Sequence, residues 1–124
     1  MRIWKISLSS FQMGSIELGE KLCSFARMGS KTKLICYQLA GANLATSNLS
    51  GQNCLHAAVE TGQVKVSQYL FGEKVDPFKK DLYGMTALEI AQKLERHEIV
   101  HLLSKYIEEY QFELRLLISS NVTS

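Results

Sequence analysis

Apolar residues recur along this chain at intervals of three and four, in short blocks interrupted by small or polar residues. In the clearest block, Leu55, Ala58 and Val59 fall at helical spacing between Asn53 and Gly62. The Asn53 side chain is suited to cap a helix start, and Gly62 tolerates the left-handed backbone of a helix end. Val64, Val66, Tyr69 and Leu70 predict a second helix directly after, and Pro77 stands in the loop beyond. Downstream, Thr86-Ala87-Leu88-Glu89 has the form of a capping box, and Ala87, Leu88, Ala91 and Leu94 continue that helix. Ile99, Val100, Leu102 and Leu103 predict its partner. Glu95 stands in the turn between them where Gly62 stands in the earlier pair, which predicts a turn strained by about 1 kcal/mol or one of different shape. Upstream, Leu18, Leu22, Phe25 and Ala26 form one helical face, and Leu34, Tyr37 and Leu39 follow Gly29. Past Tyr106, the residues Phe112, Leu114, Leu116, Leu117 and Ile118 predict a further helix. It is expected to cover an open end, with residues 119–124 fraying.

These blocks are copies of one another. Gly51 and Gly84 lie 33 residues apart, and Gly51-Gln52-Asn53-Cys54-Leu55-His56-Ala57-Ala58 falls in register on Gly84-Met85-Thr86-Ala87-Leu88-Glu89-Ile90-Ala91. The register continues with Val66 on Ile99 and Leu70 on Leu103. Backwards, it sets Leu22 under Leu55, Gly29 under Gly62, and Gly41-Ala42-Asn43 under Lys74-Val75-Asp76. A fixed period of this size marks stacked supersecondary units, none of which buries its apolar face alone. The small Ala58 and Ala91 let successive inner helices approach closely.

The segment Gly51 to Gly62 resembles the core of the ankyrin repeat, and Asp76-Pro77-Phe78 with Asp81-Leu82-Tyr83-Gly84 resembles its connecting hairpin. The resemblance covers residues 15–106, strongest in the second copy and weakest in the first, where Cys23 takes the place of the usual His. It implies an all-α solenoid of about three helix-turn-helix repeats joined by hairpin loops, to which the apolar residues past Tyr106, outside the resemblance, add a C-terminal helix. The expected divisions are a flank at 1–14, repeats at 15–47, 48–80 and 81–106, and a C-terminal helix with a frayed tail at 107–124.

With 124 residues the chain is one domain by length, and 46% apolar content is that of a folded globular chain. A net charge of +2 gives no general pull towards nucleic acid or anionic lipid. Lys31, Lys33, Lys79, Lys80 and Arg27 are interleaved with acids and form no stripe that follows a phosphate backbone. Neither a membrane span nor a secretory signal is predicted. Cys23, Cys36 and Cys54 are odd in number and lack C-x-x-C spacing, so they read as small buried residues of a reducing cytoplasmic or nuclear compartment. The triplets Asn48-Leu49-Ser50 and Asn121-Val122-Thr123 fit the glycosylation pattern, but would stay unmodified there.

Two constellations carry candidate chemistry. His97-Glu98-Ile99-Val100-His101 matches the zinc-protease pattern H-E-x-x-H, in which two His one turn apart bind the metal. In the repeat register these positions belong to an outer helix, no third ligand follows, and neither metal nor cofactor is expected. His56 with Cys54 or Cys36 offers an imidazole and a thiol. His56, however, takes the slot of the family's structural His, and Cys54 lies in the first turn of a packed helix.

The expected function is therefore non-catalytic binding of another protein, by a chain that is a monomer or part of a longer one. The resemblance implies docking on hairpin tips and inner helices, which are Leu49, Ser50, Gln52, Glu60 and Thr61 in one repeat and Leu82, Tyr83, Met85, Lys93 and Leu94 in the next. A competing expectation rests on Leu18 to Ala26, Ala40 to Leu44 and Val75 to Gly84. These resemble the C-terminal ankyrin portions of animal asparaginase/lysophospholipase proteins and of glutaminases, whose catalytic domains would lie upstream.

Overall fold

A computed structural model describes residues 14–123, with side chains through residue 119; residues 1–13, most of the expected N-terminal flank, lie outside it. Six helices and no strand occur among the described residues: α1 (Ser15–Arg27), α2 (Lys31–Leu39), α3 (Cys54–Thr61), α4 (Val64–Gly72), α5 (Ala87–Lys93) and α6 (His97–Thr123). They form three antiparallel pairs. Inner helices α1, α3 and α5 stack on one another, while α2, α4 and α6 form the outer layer. Small residues make the inner stacking possible: Cys23, Ala26, Ala57, Ala58, Ala87 and Ala91 are all buried. Gly19 is closer still, since a Cβ there would come within 2.0 Å of the Ser47 carbonyl oxygen. Leu22, Leu55, Val66, Leu70, Ile99 and Leu103 fill the space between the layers. In the outer layer, the Gln38 amide links α2 to α4 by bonding the Tyr69 hydroxyl and the Glu73 carboxylate.

The period appears as repeated hydrogen bonds. Asn48 Oδ1 accepts the Ser50 and Gln52 N–H groups at 2.9 and 3.0 Å, and Asp81 Oδ1 accepts those of Tyr83 and Met85 at 2.9 and 3.0 Å. Each of these side chains organises a hairpin whose last residue is a left-handed glycine, Gly51 or Gly84. The tips touch, because the Leu82 N–H donates to the Ser50 carbonyl at 3.0 Å. Asn48 is thereby buried and engaged at its side chain, which removes the acceptor residue of the first glycosylation triplet from solvent. The side chains of the second triplet, at Asn121, lie outside the described residues.

Both helix-to-helix turns that carry glycine, at Gly29 and Gly62, have φ near +75°. Glu95 adopts the same conformation at φ 56°, and the Arg96 N–H closes the turn on the Ala91 carbonyl at 2.9 Å. The third turn thus keeps its shape and carries the strain. Lys74, at φ 60° in the slot of Gly41, does likewise.

The C-terminal helix is continuous with the outer helix of the third repeat. Its packed part holds Ile99, Leu103 and Tyr106, with the Tyr106 ring stacked on Phe71 and its hydroxyl donating to the Val75 carbonyl at 2.6 Å. An ion pair between Lys74 and Glu113 at 2.9 Å ties the helix to the stack. Instead of covering the open end, the helix runs straight on, leaving Phe112 60% and Leu116 53% exposed. It stays helical through Thr123, past the Ser119 at which the sequence alone predicts fraying. Among the described residues no helix is long and apolar enough to cross a membrane.

Candidate functional site

His56 decides how the candidate chemistry is read. Its ring is buried, Nδ1 accepts the Asn53 N–H at 3.2 Å, and Nε2 lies 3.1 Å from the Met85 carbonyl oxygen. A carbonyl only accepts, so Nε2 carries the proton and donates it across to the next repeat. Burial lowers the pKa of this imidazole, which favours the neutral ring that the arrangement needs. Asn53 completes the cap by accepting the His56 N–H at 3.1 Å. The imidazole is thus fully used in joining repeats two and three.

The thiols follow the same logic. Cys23, one period before His56, directs its S–H at the Gln52 carbonyl at 3.4 Å, which is one period before Met85. Burial pushes its pKa up to about 11, and that of Cys54, whose S–H donates to the Leu44 carbonyl at 3.2 Å, up to about 12. Neither supplies a thiolate near neutral pH. Cys36 is exposed, contrary to the expectation that all three cysteines are buried, because its position on α2 faces away from the layer interface. His97 and Glu98 open α6 beside a depression of about 270 Å³ that Arg96 and Gly62 also line, and His101 is exposed one turn on. Among the described residues no three His, Cys, Asp or Glu side chains are placed to hold a metal ion.

The inner-helix ends and the hairpins build a different feature. A groove of about 250 Å³ runs between the second and third repeats, lined by Gln52, Glu60, Asp81, Tyr83, Met85, Ile90, Lys93 and Leu94. Six of the residues nominated from sequence meet here: Gln52, Glu60, Tyr83, Met85, Lys93 and Leu94. Leu49, Ser50 and Leu82 lie outside it at the hairpin tips, where Leu49 is 66% and Leu82 74% exposed. Thr61 is also outside, at the end of α3, with its hydroxyl turned back onto the Ala57 carbonyl at 3.0 Å. Its apolar lining is Met85, Ile90 and Leu94, joined by Tyr83, which is 80% exposed.

One wall is held by a residue that the sequence reading passed over. Arg27 Nη2 donates to Gln52 Oε1 at 2.7 Å, Gln52 Nε2 donates to Glu60 Oε2 at 3.2 Å, and Arg27 Nε lies 3.9 Å from Glu60 Oε1. Arg27, Glu60 and Lys93 are spaced by one period each, so they form a row across the inner-helix ends. That spacing was the signal available in the sequence. Two further ties brace the same edge: Gln63 Nε2 donates to the Arg27 carbonyl at 3.0 Å and Arg96 Nη2 to the Glu60 carbonyl at 2.9 Å, again one period apart.

A family model of ankyrin repeats in three copies matches residues 22–113. Among curated proteins, an L-asparaginase of Dirofilaria immitis is 31% identical over 93 residues, covering 75% of this chain and 16% of that protein. The mitochondrial glutaminase liver isoform of Mus musculus is 29% identical over 86 residues, covering 68% of this chain and 14% of its own length. The potassium channel AKT1 of Arabidopsis thaliana is 25% identical over 93 residues, 75% of this chain and 11% of the channel. This chain therefore spans less than a fifth of each relative, and proteins of unlike names share the same likeness.

Proposed function

We propose that this chain, which belongs to the ankyrin-repeat family, is a non-catalytic module that binds another protein in the groove between its second and third repeats and along the hairpin tips beside it. One observation carries the reading: Gln52, Glu60, Tyr83, Met85, Lys93 and Leu94 line one groove with an apolar floor, although 42 residues of chain separate the first from the last. Exposing Tyr83 and Leu82 gives the fold nothing, whereas Tyr and Met are favoured at the centres of protein interfaces. The buried, high-pKa thiols and the structural His56 support the absence of catalysis within these repeats. The thiols also support a reducing, cytoplasmic or nuclear setting for a monomer or a longer chain.

The test compares partner capture from native extract by the wild-type chain and by a Tyr83→Ala, Met85→Ala double variant. Capture is expected to fall at least tenfold, the loss of a Tyr anchor at a hot spot. Capture that is unchanged with folded protein would remove the groove from the interface.

A second reading is favoured by two of the relatives. The repeats form the C-terminal ankyrin portion of an asparaginase- or glutaminase-type protein whose catalytic domain is encoded upstream. The likeness to a channel argues that the resemblance follows the repeats rather than an enzymatic activity. Sequencing the transcript upstream of the Met1 codon decides it, and an open frame encoding no amide-hydrolysing domain would overturn it.

A further inference from the structure

We infer that the groove selects a peptide segment carrying one large apolar side chain and, close beside it, a carboxylate that Lys93 reads. This inference rests on the groove being the binding face. Four charged residues bear on it, and three are already committed. Glu60 shares Gln52 with Arg27 and lies beside the Arg27 guanidinium. Asp81 Oδ1 holds the Tyr83 and Met85 N–H groups of its own hairpin. Lys93 is exposed at the end of α5, and among the described residues no hydrogen bond or ion pair holds its ammonium. The groove itself is lined by two acids, Glu60 and Asp81, and one base, Lys93, but Arg27 offsets Glu60 from outside it, so recognition is positional. A ligand meets a neutralised wall on the side of the first repeat and a free cation on the side of the third.

The apolar floor lies between them. Met85, Ile90, Leu94 and Tyr83 supply the apolar lining of the groove, whose whole volume of about 250 Å³ has room for a single large apolar side chain such as Leu, Met or Phe. Lys93 lines the same groove as its sequence neighbour Leu94, which places the cation beside that apolar seat. A carboxylate of the ligand therefore belongs within a few residues of its anchor. A basic residue in that position would face Lys93 with like charge and is rejected.

The probe is a display library of random twelve-residue peptides selected on the immobilised full chain. Enriched sequences are expected to pair a large apolar residue with Asp or Glu, and selection on a Lys93→Glu variant to replace that acid by Lys or Arg. In fluorescence anisotropy, an acid-bearing peptide selected on the wild type should bind Lys93→Glu at least tenfold more weakly. Lys93→Gln should fall between, and binding to the wild type should weaken as salt rises. An empty selection, peptides without an acid, or acid-bearing peptides that bind Lys93→Glu as tightly would each overturn the inference. The Tyr83→Ala, Met85→Ala variant separates the two levels. Peptides that lose affinity for it but ignore position 93 overturn only the charge rule, whereas peptides that ignore both bind elsewhere and overturn the groove as the site.

Discussion

The two joints of the stack reach for equivalent backbone carbonyls, one period apart, with different donors. Between the first and second repeats the thiol of Cys23 points at the Gln52 carbonyl, and between the second and third the imidazole of His56 donates to that of Met85. A thiol is a weak donor with one proton to give. The imidazole also accepts from the Asn53 backbone, so it caps its own helix while bonding to the next repeat. The first joint therefore leans on packing and on the Arg27–Gln52–Glu60 network, and the second on a buried polar bridge. Holding two repeats together needs a donor at this position, but only His makes the joint answer to acid.

The largest expected effect breaks that difference. His56→Ala strands the Met85 carbonyl and the Asn53 N–H and leaves a cavity, costing about 3 kcal/mol, whereas Cys23→Ala loses a weak bond and a small volume, about 1 kcal/mol. Thermal melts followed by circular dichroism measure both, and equal losses would show that the joints are not distinguished by their donors. Acid comes next. Because burial holds the His56 pKa below its ordinary 6.5, the unfolded chain takes up the proton more readily. The stability this contributes is complete above about pH 6.5 and is lost as pH falls towards the folded-state value. Amide exchange should then rise first in α5 and the start of α6. His56→Gln should flatten the dependence in this window, while the first joint, with its thiol pKa near 11, stays indifferent.

The turns extend the contrast. Glu95→Gly is expected to stabilise the third repeat by about 1 kcal/mol, since it relieves a left-handed non-glycine residue, and Gly62→Ala to cost a similar amount at the matching turn. Unchanged melting in Glu95→Gly would mean that the turn is not strained. The smallest effect is at the outermost cap. Thr86→Ala should cost about 0.5–1 kcal/mol, because its hydroxyl serves only its own helix, where Asn53 belongs to the bridge between repeats.

Much of this is legible in the sequence alone. The 33-residue register set Leu22 with Leu55 and Val66 with Ile99, and the resemblance identified His56 as structural. Side-chain polar networks were not legible. Arg27 reads as one scattered cation until its period-mates Glu60 and Lys93 are set beside it, and its bond to Gln52 depends on geometry between repeats. Lys74 in a left-handed slot had a signal, since the register sets it on Gly41 as it sets Glu95 on Gly62. The continuity of α6 had a signal, since no Gly or Pro interrupts the residues between Tyr106 and Phe112. Cys36 had none, as three cysteines of one type gave no reason to set one apart.

The groove belongs to neither repeat alone: Gln52 and Glu60 come from one, and Tyr83, Met85, Lys93 and Leu94 from the other. Anything seated there spans the joint that His56 holds, and so works as a clamp on a hinge. By mass action, a ligand at a hundred times its Kd adds about 2.7 kcal/mol to whatever it bridges, close to what loss of the His56 bridge is expected to remove. Occupancy of the groove would then set the stiffness of this short stack, and a partner would be felt along the whole inner row as well as at its point of contact.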